Sequence, residues 1–441
     1  MRRFVWALAL LVPTTASAQP GETPPSEPAP VVEPPPAVPV PVVTKPPAVA
    51  SSDDLDLATL DLVPGKVDEH LNIYGFIDFG WRDLMVPDTS LAANYFPKES
   101  SFFVGNVNLY VAKNLSSHWR SMLEVRFLYA PAGATNTDGT FVHTSAPDPG
   151  DLQRPVSWGS IAIERVYLEY EVNESLTIQA GSFLTPYGIW NVDHGSPAII
   201  PVSRPYIIGE QLFPQQQTGL HLYGKHPIGD YQLSYHGTLS NGRGPFQAFR
   251  DLDDNMAVGG RLELETPWLD GVHIGISGYR GRFTDRPADV ITADASGNLT
   301  NSTPAGTQYD EVSYGADLLV RRGGLHIQAE VIGNDRHYLV NNRELVTGGF
   351  AADGRYLGSY ALVGYRFDRW WQLMPFAIVE LDRMRPTAAV GDKPVVFQPS
   401  IGLNFRPDPS VVLKLQYNRA TIYSQLDLSF GAFSAQAAWA F

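Results

Sequence analysis

Between residues 184 and 218 the chain gathers Tyr187, Trp190, Asp193, His194, Arg204 and Glu210. An aromatic pair beside a carboxylate and a guanidinium suits reversible contact with a polar solute, as a sugar slide or an ion filter; of the two rings, Trp190 is the one expected to pack. Bond-making chemistry is not indicated. There is no GxSxG, and His194-Gly195-Ser196 in a proline-rich stretch forms no recognisable nucleophile and base pair, so no catalytic residue is assigned and an enzyme is not expected. His221, His236, His273 and His326 fall on separate segments without HExxH spacing, and the run 251–255 (DLDDN) lacks the glycine and distal glutamate of a calcium loop. No metal and no cofactor are expected.

A second group of reactive side chains recurs at even spacing: Arg120, Glu124 and Arg126; Arg165, Glu169 and Glu171; Arg261, Glu263 and Glu265. Side chains at even spacing share one face of a strand. On adjacent strands such sets pair laterally and place a transverse field across whatever space they line. The opposite faces are apolar. Trp119, Leu123, Val125, Phe127 and Tyr129 alternate with the first set, with aromatics at both ends, as the two interfacial girdles of a membrane barrel require.

The same period of two runs from Leu71 to Phe441 and yields about sixteen strands, among them Tyr356 to Phe367 and Trp371 to Asp382. Short turns, such as RRGG at Arg321 and RPDPS at Arg406, alternate with long polar loops, the asymmetry of outer-membrane barrels. The expected fold is therefore all-β, a transmembrane antiparallel barrel with both ends in the periplasm. The connection 184–218 is too long for an idle hairpin and reads as a functional loop. The last segment alternates Phe433, Ala435, Ala437, Trp439 and Phe441 on one face, and Phe441 ends the chain.

Upstream of the barrel the reading changes. Arg2 and Arg3, an apolar run and Ala16-Ser17-Ala18 mark residues 1–18 as a secretory leader. Residues 19–67 form a linker: its part from 20 to 50 is dominated by Pro, Val, Ala and Glu, favouring polyproline II and unable to bury a core, and a short acidic segment follows at 53–62. Residues 68–441 are the barrel domain. A mean hydropathy of -0.12 fits strands with one wet face. The net charge of -14 offers no basic stripe to nucleic acid, and with no cysteine the exported chain has no disulfide or thiolate metal site.

Three stretches carry a resemblance: LTPYGIWNVDHG (184–195) with the distal Arg204-Pro205, PDPSVVLKLQY (407–417), and the terminal AAWAF. In these, over about 71–441, the chain resembles the bacterial porin superfamily, most closely the branch of the phosphate-selective porins O and P. The resemblance implies a water-filled barrel in the bacterial outer membrane, commonly a homotrimer, whose third long loop folds into the lumen and sets the pore width. Here that is the 184–218 connection, and Tyr187, Trp190, Asp193, His194, Arg204 and Glu210 become the constriction candidates. Trp439 and Phe441 resemble the C-terminal signal read by the assembly machinery. Phosphate-selective members use clustered lysines at the constriction and this loop has none, so phosphate specificity is not carried over.

The expected function is passive diffusion of small hydrophilic solutes and ions, with outer-membrane lipid as the surrounding partner. Asp193 and Glu210 facing Arg204 predict a weak cation preference. The alternatives are a substrate-specific channel for anions or an organic solute, and a structural protein tied to the cell wall through residues 20–50.

Overall fold

The computed structural model describes residues 71–87, 100–128, 160–191, 195–243, 253–266, 271–285, 290–293, 299–302, 307–339, 353–385, 393–424 and 428–441. The leader, the linker with its acidic segment, Asp193 and His194 lie outside the described residues.

The strands are β1 (Asn72–Met85), β2 (Ser101–Asn114), β3 (Trp119–Leu128), β4 (Ser160–Asn173), β5 (Leu176–Leu184), β6 (Gln216–Ile228), β7 (Tyr231–Ser240), β8 (Ala257–Glu265) and β9 (Val272–Asp285). After a small separate hairpin, β10 (Val290–Ala293) with β11 (Leu299–Ser302), come β12 (Thr307–Arg322), β13 (Leu325–Tyr338), β14 (Gly354–Tyr365), β15 (Met374–Arg383), β16 (Val395–Asp408), β17 (Val411–Tyr423) and β18 (Leu428–Ala440). Apart from that hairpin, 16 strands form one closed antiparallel barrel in which each pairs with its neighbour in sequence and β18 returns to β1. Closure removes every sheet edge, the condition for a sheet to cross lipid.

Why these residues make this wall is clearest on β17. Leu413 and Leu415 point outward at 39% and 45% exposure, while Val412, Lys414, Gln416 and Asn418 between them are buried facing the lumen. Polar side chains inside and leucines outside is the reverse of a soluble sandwich, and it is stable only where the outside is hydrocarbon. The same inversion recurs at Leu220 and Leu222, Ile274 and Ile276, and Val379 and Leu381, all exposed.

Tight connections at 115–118, 174–175, 229–230, 323–324 and 409–410 lie along one edge of the barrel, with the start of β1 and the end of β18; the long connections lie along the other. At the closing seam Gly75 and Phe441 exchange both backbone hydrogen bonds, 3.0 Å each.

Two departures from the sequence reading have physical causes. The hairpin β10–β11 was not anticipated, because its residues (VITA and LTNS) carry no long alternation. The strand expected from Trp371 begins at Met374 instead, since Trp370, Trp371 and Gln372 turn left-handed at φ 62, 56 and 53. Such a conformation costs L-residues about 1–2 kcal/mol each. Both tryptophan rings stay exposed, at 71% and 68%, and Trp371 meets Phe405 edge-on at 5.2 Å. Aromatics of this kind belong at the membrane–water boundary.

Candidate functional site

The third long connection, residues 185–215 (hereafter L3), leaves β5, crosses the lumen and returns to β6. It carries one short helix, α1 (Tyr206–Gly209). An apolar stripe pins it: Tyr187, Trp190, Ile207, Ile208, Leu212 and Phe213 pack with wall residues Tyr279, Ile332, Tyr356, Tyr360, Leu362 and Ile378.

Polar contacts fix the rest of the loop, and most of them satisfy its backbone. Trp190 N–H donates to Glu330 Oε1 (3.1 Å), Tyr206 N–H to Glu380 Oε2 (2.7 Å), and Val202 N–H to Gln416 Oε1 (2.5 Å). From the other direction, Asn404 Nδ2 donates to Ile200 O (2.8 Å) and Asn334 Nδ2 to Leu212 O (3.0 Å). Ser196 donates its hydroxyl to Asp78 on β1. Lys414, only 1% exposed, donates to the carbonyls of Ser196 (2.6 Å), Ile199 (2.6 Å) and Pro201 (3.4 Å). At Gly188, φ 72 and the approach of the Glu330 carboxylate together leave no room for a Cβ.

Both rings of the aromatic pair are buried. Tyr187 and Trp190 are each 2% exposed. The Tyr187 hydroxyl bonds Thr238 at 2.6 Å, and Trp190 meets Tyr360 edge-on at 6.1 Å. A loop crossing an aqueous lumen has to bury its apolar side chains somewhere, and the wall offers tyrosines. Glu210 is exposed and lies near Tyr206, whose hydroxyl is pushed up to about 12 by burial together with Glu380, Asp382 and Glu210. Arg204 has different neighbours. Burial, with the charge of Arg126, holds its guanidinium below the ordinary value, against the opposing pull of Glu164 and Asp78; it is still a cation near neutral pH.

The wall charges pair laterally, as their spacing suggested. Arg165 meets Glu124 at 2.6 Å across β3 and β4, Arg120 meets Glu169 at 3.3 Å, and Arg126 meets Glu164 at 3.3 Å. Glu124, fully buried, also accepts from Asn108 at 2.6 Å. Arg261 reaches past β9 to Asp317 (Nη2 to Oδ1, 2.8 Å), over Gly275, where a Cβ would strike both groups; it also meets Glu263 at 2.7 Å. Trp439 and Phe441 sit at the closing seam, Phe441 exposed.

What L3 leaves open is narrow. Between it and the β3–β5 wall is a gap of about 40 Å³ bordered by Arg126, Glu164, Trp190, Asn191, Arg204 and Ile208, room for about one water. On the short-turn side a vestibule of about 360 Å³ is lined in part by Arg261, Arg321, Arg366 and Arg406, with Glu263 as its carboxylate. On the long-loop side Arg243 and Arg336 share Glu311, at 2.8 and 3.6 Å.

Lys414 and Gln416 were missed as site residues, though they stand inside the PDPSVVLKLQY stretch. The signal was a lysine on the polar face of a lumen strand, where a solvated charge was the simpler reading. That stretch, more than 200 positions away, holds residues 196–203 of the loop that LTPYGIWNVDHG begins.

No family model matches the chain. A relative from Aquifex aeolicus (strain VF5), described as an uncharacterized protein, is 28% identical over 126 residues, 25% of this chain and 28% of that protein's own length. Among solved structures, in-vitro folded OmpT, an outer membrane protein of Vibrio cholerae, in its trimer form, gives a TM-score of 0.52 at 9% identity over 84% of this chain and 99% of that one. Outer-membrane expressed OmpT of the same organism gives 0.52 at 8% identity, over 85% and 100%. At such identities the likeness is one of fold. The fold is that of these outer-membrane barrels, and the apolar exterior is that of a barrel wall set in lipid.

Proposed function

We propose that this chain is a narrow outer-membrane channel for passive diffusion of small hydrophilic solutes, and that it favours anions. The observation that carries the reading is the charge along the lumen around L3. Guanidiniums outnumber carboxylates beside Glu311, beside Glu164 and in the vestibule around Glu263. Meanwhile Asp78, Glu330 and Glu380 are occupied in holding L3. Low-dielectric walls magnify such an imbalance for an ion in transit. The proposal reverses the cation preference read from the sequence, which rested on Asp193 and on Glu210 facing Arg204.

Membership of the phosphate-selective branch is supported by the three stretches that carry the resemblance, and phosphate selectivity is left out of the proposal. Lys414 is the lysine at L3 among the described residues, and its ammonium holds loop carbonyls. A homotrimer fits the trimer form of the Vibrio cholerae barrel, and the short-turn edge faces the periplasm by the usual asymmetry. The leader, the linker as periplasmic tether and the absence of catalysis belong to the same reading.

The test is the reversal potential of the purified channel in a planar bilayer under a tenfold potassium chloride gradient. A potential on the chloride side is expected. One on the potassium side overturns the anion preference, and absence of any conductance from folded protein overturns the channel.

A further inference from the structure

We infer that the outer face of the wall around Arg280, at the long-loop edge, holds the phosphate headgroup of an anionic lipid. The inference rests on the orientation proposed above, which turns this edge to the outer leaflet, and on neither the channel nor its ion preference. Strand pairing sets one row of outward side chains across five neighbouring strands: Val258 on β8, Arg280 on β9, Val312 on β12, Asp335 on β13 and Arg355 on β14. Arg282, Asp310 and His337 stand in the next row toward the edge. The residues that alternate with them, among them Tyr279, Glu311, Asn334 and Tyr356, are buried on the lumen side. Toward the middle of the wall the outward side chains are apolar and exposed, as at Ile276, Val331 and Leu357. The charges therefore begin where the apolar band ends, at the depth of lipid headgroups.

The carboxylates of this face already have cations. Asp310 accepts from Arg282 at 2.7 Å, Asp335 from Arg355 at 2.8 Å, and Asp353 meets His337 at 2.9 Å. Arg280 is the cation left over. It is exposed, its guanidinium has no hydrogen bond or ion pair among the described residues, and its register partners on both sides are valines, Val258 and Val312, 51% and 44% exposed. A guanidinium set against lipid is costly unless it reaches an anion, and at this depth the anions are lipid phosphates, whose geometry suits its paired N–H donors. Arg280, Asp310, Val312, Asp335, His337 and Arg355 border a concavity of about 600 Å³ that can take such a headgroup. Next to it the wall is bare. Gly237, Gly260 and Gly278 pair side by side on β7, β8 and β9, flanked by Leu222 and Tyr314, and a Cβ at Gly237 or Gly278 would meet nothing within 4 Å. That basin receives the acyl chains leading away from the phosphate. A free anion would leave it empty.

The probe is lipid A, a phosphorylated lipid, added to the full chain in detergent and followed by native mass spectrometry, with its dephosphorylated form and inorganic phosphate as comparisons. Wild type should retain lipid A at least fivefold more tightly than the dephosphorylated form, and excess inorganic phosphate should not displace it. Arg280→Gln should weaken retention roughly fivefold, the contribution of one arginine beside an anionic membrane surface. Gly278→Leu fills the basin and should weaken it roughly threefold with heat-modifiable mobility unchanged, since its Cβ enters open space. Equal retention of the two lipids, displacement by inorganic phosphate, or wild-type retention in either variant would overturn the site. A changed oligomeric state in the Arg280 variant would also overturn it, assigning the face to a second copy of the chain. Reversal potentials of both variants should match wild type, because both residues stand outside the lumen; a shift would place Arg280 in the pore and overturn the inference. A wild-type barrel that binds lipid A but does not conduct removes the channel and keeps the lipid site.

Discussion

Replacing Lys414 with methionine keeps the length of the side chain and deletes the ammonium that binds three L3 carbonyls. A hydrogen bond to a charged group contributes about 1.5–3 kcal/mol. The two contacts at 2.6 Å therefore put the loss of loop anchoring at roughly 3–6 kcal/mol, counting nothing for the third at 3.4 Å. At 1.4 kcal/mol per factor of ten, the ratio of docked to undocked loop falls by roughly a hundred- to ten-thousand-fold. The barrel should survive, because its ladder does not involve the Lys414 side chain and the apolar stripe of L3 stays packed on β9 and β13 to β15. Single-channel recording should show a larger mean conductance, or flicker between a small and a large level, and heat-modifiable mobility should match wild type. Unchanged conductance from a normally folded barrel would refute the view that Lys414 holds the loop across the lumen. Loss of the barrel itself would refute the separation between wall and loop.

Other expectations concern the wall, the seam and the arm. Arg204→Gln should move the reversal potential toward potassium, since it removes one of two guanidiniums bordering the gap. Glu124→Gln leaves Arg165 without its buried counter-charge and should cost about 3–5 kcal/mol, read as a lower temperature for the shift in heat-modifiable mobility. Deleting Phe441 removes both seam hydrogen bonds to Gly75 and should reduce the folded barrel recovered from outer-membrane fractions; equal recovery would count against the assembly-signal reading. Deleting residues 20–50 should leave conductance unchanged, because polyproline segments contribute no wall, and a loss of current from intact barrels would mean that the arm takes part in the pore.

The strands were legible because membrane and lumen impose a period of two on every crossing, and the sorting of short and long connections gave the barrel its direction. Lateral pairs such as Arg165 with Glu124 were legible for the same reason, since spacing along a strand fixes which face a charge takes. The anchoring of L3 was not. Whether Asp78, Glu330, Glu380 or Lys414 holds a backbone group or faces a solute depends on contacts with a loop as many as 218 positions away, and no local pattern encodes them. Arg204 and Glu210 were read together from nearness in sequence; α1 begins between them, and Glu210 acts on Tyr206 while Arg204 borders the gap with Arg126 and Glu164. That the turn after Phe367 runs on past Trp371 escaped because a tryptophan beside a strand looks like its girdle, whatever the sign of φ.

The seam between Gly75 and Phe441 also fixes an order of events. β18 follows every other strand of the barrel in the chain, so the pairing that seals the cylinder spans nearly the whole barrel sequence and waits for the strands between to have been delivered. Long-range pairings of this kind form late and slowly, and until then β1 and β18 are two open edges able to pair with any strand they meet. The interval before closure is thus the period when the barrel is most exposed to misassembly.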